Sequence, residues 1–212
     1  MAINILFTSG GRRVELIKAF QRAYQTLGIT GNIVATDINP LAPVLHIVDK
    51  PYLVPRFESS DYVPTLLEIC KREAISLVFP LIDPDIPILS EHKMLFDEID
   101  VKPVVIDIDK VRICEDKWLT YQFFCKHSIV TPRSWLPEHL DFKEIKYPLF
   151  IKPRVGSGSK DAFKVKNEDE LRFFLNYIDK PIIQEFIDGD EVTNDIFCNL
   201  DGSVYEVVLR KR

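Results

Sequence analysis

The sequence predicts an α/β protein: an open parallel sheet covered on both faces over residues 1–112, then an α+β region. Short, β-rich apolar runs recur at residues 3–8, 32–36, 76–81 and 101–106, each reading as a strand buried on both faces. Helical patterns separate them, and strands that alternate with helices build parallel sheets. Beyond residue 112 that alternation stops, and strands follow one another through glycine-rich and Asp-Gly turns.

The first strand, residues 3–8, leads through a turn at 8–13 into a helix on which Val14, Ile17, Phe20, Tyr24 and Leu27 recur at helical spacing. Gly28 suits its exit. Residues 32–36 form the second strand, with Asp37 at its end, completing a βαβ unit. Pro40, Pro43, Pro51 and Pro55 break up the next stretch, leaving a short strand at 52–54. Asp61 is placed to cap a helix reaching Ala74. The strand 76–81 ends in Pro80-Leu81-Ile82-Asp83-Pro84-Asp85, a helix covers 86–96, and 101–106 is a further strand. A helix over 116–126 and an extended segment at 131–135 follow. Residues 148–151 and 162–165 form a hairpin, 168–178 a helix, and 181–186, 192–199 and 203–210 three strands. Asp201-Gly202 turns between the last two.

Composition narrows the function. A net charge of -5 argues against general nucleic-acid binding, which needs a basic face. No apolar run approaches the ~20 residues of a membrane span. Met1-Ala2-Ile3-Asn4 carries no basic segment ahead of an apolar one, so no secretory leader is expected. Cys70, Cys114, Cys125 and Cys198 form no Cys-x-x-Cys pair, which fits a reduced, cytoplasmic protein. Cys125 and His127 share a helical pattern at i and i+2, where side chains diverge, so they make no nucleophile-base pair. The four histidines show no metal-ligand spacing.

The chemistry concentrates around Phe150-Ile151-Lys152-Pro153-Arg154-Val155-Gly156-Ser157-Gly158-Ser159-Lys160. Pro153 has no amide proton and stops regular pairing. Gly156, Ser157, Gly158 and Ser159 then form a donor-rich tip whose backbone amides can approach an anion closely. Lys152 fixes a positive charge beside it. Taken alone, the tip also reads as a plain surface hairpin. It is not a Walker A loop, because Gly-x-x-x-x-Gly-Lys-Ser/Thr is missing and the loop joins two strands. Lys117 lies upstream in Cys114-Glu115-Asp116-Lys117, and Ile183-Gln184-Glu185-Phe186-Ile187-Asp188-Gly189-Asp190-Glu191 lies downstream.

In that order and spacing, these three segments resemble the nucleotide site of the ATP-grasp superfamily. The whole chain is similar to the amino-terminal part of the short carbamoyl-phosphate-synthase-like members. The resemblance implies a pre-ATP-grasp domain at 1–112, an amino-terminal lid subdomain at 113–182, and an incomplete start of the carboxy-terminal subdomain at 183–212. It implies that Lys117 and Lys152 contact ATP and that residues 156–160 close over its phosphates. Gln184, Glu185, Phe186 and Ile187 would meet the adenine edge, and Glu191 the ribose hydroxyls. Magnesium ligands are expected beyond residue 212, with none in this chain. Arg210 is the candidate catalytic residue, reaching phosphate or an acyl phosphate, with a solvated arginine as the alternative. The implied reaction activates a carboxylate as an acyl phosphate for attack by an amine. A second polypeptide or further segment would complete it, and self-association into a homodimer stays open. The alternative from another class is a non-catalytic nucleotide-binding or regulatory module. Lys160-Asp161 and Thr193-Asn194-Asp195 depart from the family's usual residues.

In the first, Rossmann-like domain, Ser9, Gly10, Gly11 and Arg12 open a helix after the first strand. A helix N-terminus flanked by arginines suits a carboxylate or phosphate. The third alternative, an NAD-dependent oxidoreductase with Asp37 on a ribose, lacks Gly-x-Gly-x-x-Gly. The resemblance implies that Ser9, Gly10, Gly11, Arg12 and Asp37 serve the acceptor substrate instead. Asp83 and Asp85 either face the same crevice at the strand ends or cap the next helix.

Overall fold

A computed structural model describes residues 2–156 and 158–211. The chain divides into two units, Met1–Val111 and Arg112–Arg212. In the first, the apolar runs become β1 (Asn4–Thr8), β2 (Ile33–Asp37), β3 (Lys50–Leu53), β4 (Ile75–Pro80) and β5 (Lys102–Pro103). They pair in parallel in the order β3-β2-β1-β4-β5. Alternation along each strand sends side chains to opposite faces. Ile5, Phe7, Ile33 and Ala35 pack with Ile17, Phe20 and Tyr24 of α1 (Val14–Leu27). On the other face, Leu6, Val34 and Val78 pack with Leu66 of α2 (Tyr62–Arg72), Leu89 of α3 (Asp85–Glu91) and Phe96 of α4 (Lys93–Asp97). The strand order reverses at β1, with β2 and β3 laid down on one side and β4 and β5 on the other, so the strand ends that open a crevice in such sheets are those at Thr8 and Pro80.

Several local expectations are corrected. The helix expected over 86–96 breaks at His92, which has φ -101° and ψ 11° and whose ring Nδ1 lies 2.9 Å from the Ile88 carbonyl oxygen. The same carbonyl also accepts from the His92 amide at 3.2 Å, so the ladder is intact up to His92 and stops beyond it. The strand expected over 101–106 shrinks to Lys102–Pro103, since Pro103 offers no amide to the ladder. Asp61 precedes α2 without a side-chain cap; its carbonyl oxygen instead accepts from Thr65. A 3-10 turn, Pro43–His46, stands in the proline-rich stretch, and β3 begins at Lys50. Pro51 is tolerated because β3 is an edge strand. Helix α5 (Ile108–Glu115) has no counterpart in the sequence reading.

In the second unit, α6 (Lys117–Lys126) is followed by β6 (Ser134–Trp135), β7 (Leu149–Pro153), β8 (Phe163–Val165), α7 (Glu168–Tyr177) and β9 (Pro181–Glu185). The four strands form an antiparallel sheet in the order β6-β9-β7-β8. One face carries Leu149, Ile151, Val165 and Ile183 against Leu171 and Ile178. Helix α7 starts where the Asn167 side chain accepts from the Glu170 amide, 2.9 Å, and Glu170 accepts from the Lys166 amide, 2.8 Å. Strands β10 (Val192–Cys198) and β11 (Val204–Lys211) form a separate antiparallel hairpin. Among the described residues, no helix is long and apolar enough to cross a membrane.

One close approach in the first unit gives a stability test. Gly31 has φ 137°, and a Cβ there would meet the Ile3 carbonyl oxygen at 2.1 Å. Backbone cannot yield as a side chain does. Gly31→Ala is expected to destabilise the protein by at least about 2 kcal/mol in denaturant unfolding.

Candidate nucleotide-binding site

The sheet in the second unit sets the site by its strand alternation. Ile151 points into the core, so Phe150 and Lys152 point to the opposite face. The register places Gln184 opposite Phe150 and Ile182 opposite Lys152, which puts all four on that face. An ammonium group, an aromatic ring and an amide thus share one surface. Lys152 is half-buried, its Nζ 5.5 Å from the Phe150 ring centroid, and it has no carboxylate partner among the described residues.

Lys117 comes to the same place from the first turn of α6. Its Nζ donates to the Gly156 carbonyl at 2.9 Å and lies 3.5 Å from that of Arg154, while its backbone amide donates to Arg154 at 3.0 Å. Burial lowers the pKa of the Lys152 ammonium, and the nearby Lys117 charge lowers it further. Burial likewise lowers that of Lys117, opposed by Asp116. Two like charges held together in partial burial favour an anion between them.

Asp116 builds this arrangement, and the sequence reading did not assign it a role. Its carboxylate caps α6, accepting from the amides of Trp118 at 2.9 Å and Leu119 at 3.3 Å. Both of its oxygens also lie 2.7 Å from Arg154 Nε. Burial opposes its ionisation, but Arg154 and the two amides outweigh burial and hold its pKa below the usual carboxylate value. An aspartate just before a helix was a readable cap signal. Its pairing with Arg154, 38 positions away, was not. A cavity of about 490 Å³ is lined by Asp116, Arg154, Val155, Asp179 and Lys180, and neither site lysine lines it.

The tip of the β7–β8 hairpin is built from left-handed backbone. Gly156 has φ 133°, Gly158 69°, Ser159 56° and Asp161 53°. All four glycine and serine positions of the tip were expected to close over phosphates; Ser157 lies outside the described residues. Lys160 is exposed. Along β9, the Gln184 side-chain amide donates to Ser134 Oγ at 2.8 Å, and the Glu185 backbone amide donates to the Arg133 carbonyl at 2.8 Å. Lys164 Nζ sits 3.8 Å from the centroid of the Phe186 ring. Ile187 and Glu191 are exposed between β9 and β10. Arg210, on β11, is exposed and engaged with Asp195 of β10, Nη2 to Oδ1 3.0 Å. The Asp195 and Arg210 pairing explains the polar residue noted at position 195.

In the first unit, the candidate residues lie at the carboxy ends of β1, β2 and β4. The Gly11 amide donates to Asp37 Oδ2 at 2.8 Å and the Asn39 amide to Oδ1 at 2.8 Å, so both carboxylate oxygens hold the turn. Gly10 is forced by space, because a Cβ there would lie 2.7 Å from Val44 Cγ1. Ser9 is half-buried at φ 52°, and Arg12 is exposed. Asp83 is exposed, whereas Asp85 is fully buried. Thr8 Oγ1 donates to Asp85 Oδ2 at 2.6 Å and the Tyr62 hydroxyl to Oδ1 at 3.0 Å. Burial and the Asp85 charge push the Tyr62 hydroxyl pKa well above its usual value. Asp85 therefore ties β1, α2 and α3 together rather than facing an open crevice. Among the described residues, no group of three or more His, Cys, Asp or Glu could hold a metal ion.

Two family models match this chain. The PylC-like N-terminal domain matches residues 5–104, and the ATP-grasp domain matches residues 114–209. A carbamoyl-phosphate synthase from Methanobrevibacter smithii is 25% identical over 169 residues, covering 77% of this chain and 45% of that protein. A 3-methyl-D-ornithine--L-lysine ligase from Methanosarcina barkeri is 25% identical over 194 residues, covering 91% and 47%. Among solved structures, N5-carboxyaminoimidazole ribonucleotide synthetase from Thermotoga maritima aligns with a TM-score of 0.69 at 23% identity, covering 98% of this chain and 53% of that one. The chain spans about half the length of these relatives.

Two measurements test the geometry. Tyr62→Phe removes a donor from a buried carboxylate and is expected to cost about 1.5–3 kcal/mol in denaturant unfolding. For the lysines, the folded pKa is lowered, so between that value and the ordinary lysine value the unfolded chain binds more protons and stability rises with pH. In Lys117→Met that alkaline rise is expected to be smaller, as read from unfolding free energies across the window.

Proposed function

We propose, from the premise that the chain belongs to the ATP-grasp superfamily, that it supplies the nucleotide-gripping part of an ATP-dependent ligase. The reaction is activation of a carboxylate as an acyl phosphate, followed by attack of an amine. Two of the relatives, a carbamoyl-phosphate synthase and an amino-acid ligase, support this class of chemistry. Whether the product is carbamoyl-phosphate-like or an amide between amino acids depends on the acceptor side.

The observation that carries the reading is that Lys117 and Lys152 both come to the root of a loop of left-handed backbone, Lys117 on the Arg154 and Gly156 carbonyls and Lys152 at the end of β7 without a carboxylate partner among the described residues. A triphosphate supplies the anion that this pair lacks and relieves their mutual repulsion. Phe150 and Gln184, on the same face as Lys152, offer a ring and an amide to the base, with the backbone of residues 184–187 at its edge. In this proposal Glu191 takes the ribose and Ser9, Gly10, Gly11 and Arg12 the acceptor substrate. Asp37 and Asp85 shape that strand-end edge through the bonds they already make. We assign the family's magnesium ligands to the part of the relatives that this chain does not span.

Lys152→Ala is expected to weaken ATP binding at least about tenfold by calorimetry, a loss of about 1.4 kcal/mol or more. Unchanged affinity would remove the phosphate role.

A further inference from the structure

We propose that Asp116 is a positioning residue for the phosphate-gripping edge: it locks the root of the glycine loop to the start of α6, which sets Lys117 against Lys152. The inference rests on the reading of that edge as a triphosphate site. Three links run between the same two segments. The Asp116 carboxylate holds the Arg154 guanidinium by a forked contact, with Nη2 2.7 Å from Oδ2. The Lys117 amide donates to the Arg154 carbonyl at 3.0 Å. The Lys117 ammonium donates to the Gly156 carbonyl at 2.9 Å. One of the three is a charged side-chain pair, and its side chains are only 15% and 32% exposed for Asp116 and Arg154.

A plain capping aspartate would make only the contacts to Trp118 and Leu119. Asparagine caps a helix about as well as aspartate. Asp116→Asn therefore keeps the capping oxygen and α6, and removes the charge and the Oδ2 acceptor that make the link to Arg154 forked. The sign of its effect on ATP binding separates two accounts. By charge alone, deleting a carboxylate beside two lysines strengthens binding of a polyanion. If Asp116 positions the lysines and the loop, binding weakens despite that gain.

ATP and adenosine binding are measured by calorimetry, and amide hydrogen exchange is followed in the wild type and Asp116→Asn. ATP is expected to bind about tenfold more weakly, with adenosine changed less than about twofold. Exchange is expected to quicken at residues 155–161 while 118 and 119 stay protected. ATP affinity that is unchanged or improved overturns the proposal, and so does an equal loss for ATP and adenosine, which marks general damage. If Asp116→Asn does not fold, Arg154→Met leaves the cap intact and tests the same link, with unchanged exchange at 155–161 overturning it. Absence of ATP binding in the wild type would sink the nucleotide reading itself, whereas the exchange comparison decides the link between Asp116 and the loop independently.

Discussion

Two ammonium groups held near each other in partial burial are the constraint around which the second unit is arranged. Desolvation and like charge both disfavour this state, and each lowers the Lys152 pKa. The fold imposes it through two independent devices. Strand alternation turns Lys152 out of the β7 core face, and the helix cap at Asp116 starts α6 so that Lys117 falls in its first turn. Two loop carbonyls offset part of the cost by accepting from Lys117. A polyanion would compete for that same ammonium.

The first unit solves a different problem. Its parallel sheet is closed on both faces, so polar groups at the strand ends depend on partners within the frame, and the buried Thr36 hydroxyl has none among the described residues. Asp37 and Asp85 supply such partners, one by accepting two turn amides and the other by accepting two hydroxyls. Acidic residues at strand ends invite a catalytic reading, but here their oxygens have partners within the frame. What this edge still presents outward is Ser9, Arg12 and Asp83.

The sheets were legible because their signal is local. Runs such as Ile5-Leu6-Phe7 and Ile182-Ile183 are apolar enough to mark buried strands without knowledge of their neighbours. Helix α5 escaped because Val111 is its one buried residue, leaving no apolar stripe to read. The break at His92 escaped because the apolar spacing runs through it unbroken, while the change lies in the backbone angles of His92, φ -101° and ψ 11°. In the site, Lys117, Lys152 and the glycine loop were visible as residue types at a spacing. Arg154 was not, since its role depends on a partner 38 positions earlier, and nothing local encodes that distance. The outward face shared by Phe150, Lys152 and Gln184 required the register between β7 and β9.

The most direct test is the titration of the Lys152 ammonium itself, followed by NMR of isotope-labelled lysine with and without ATP. The account predicts titration below the ordinary lysine range in the free protein and an upward shift when ATP is added. A Lys152 that titrates as a solvated lysine and does not respond to ATP would contradict it.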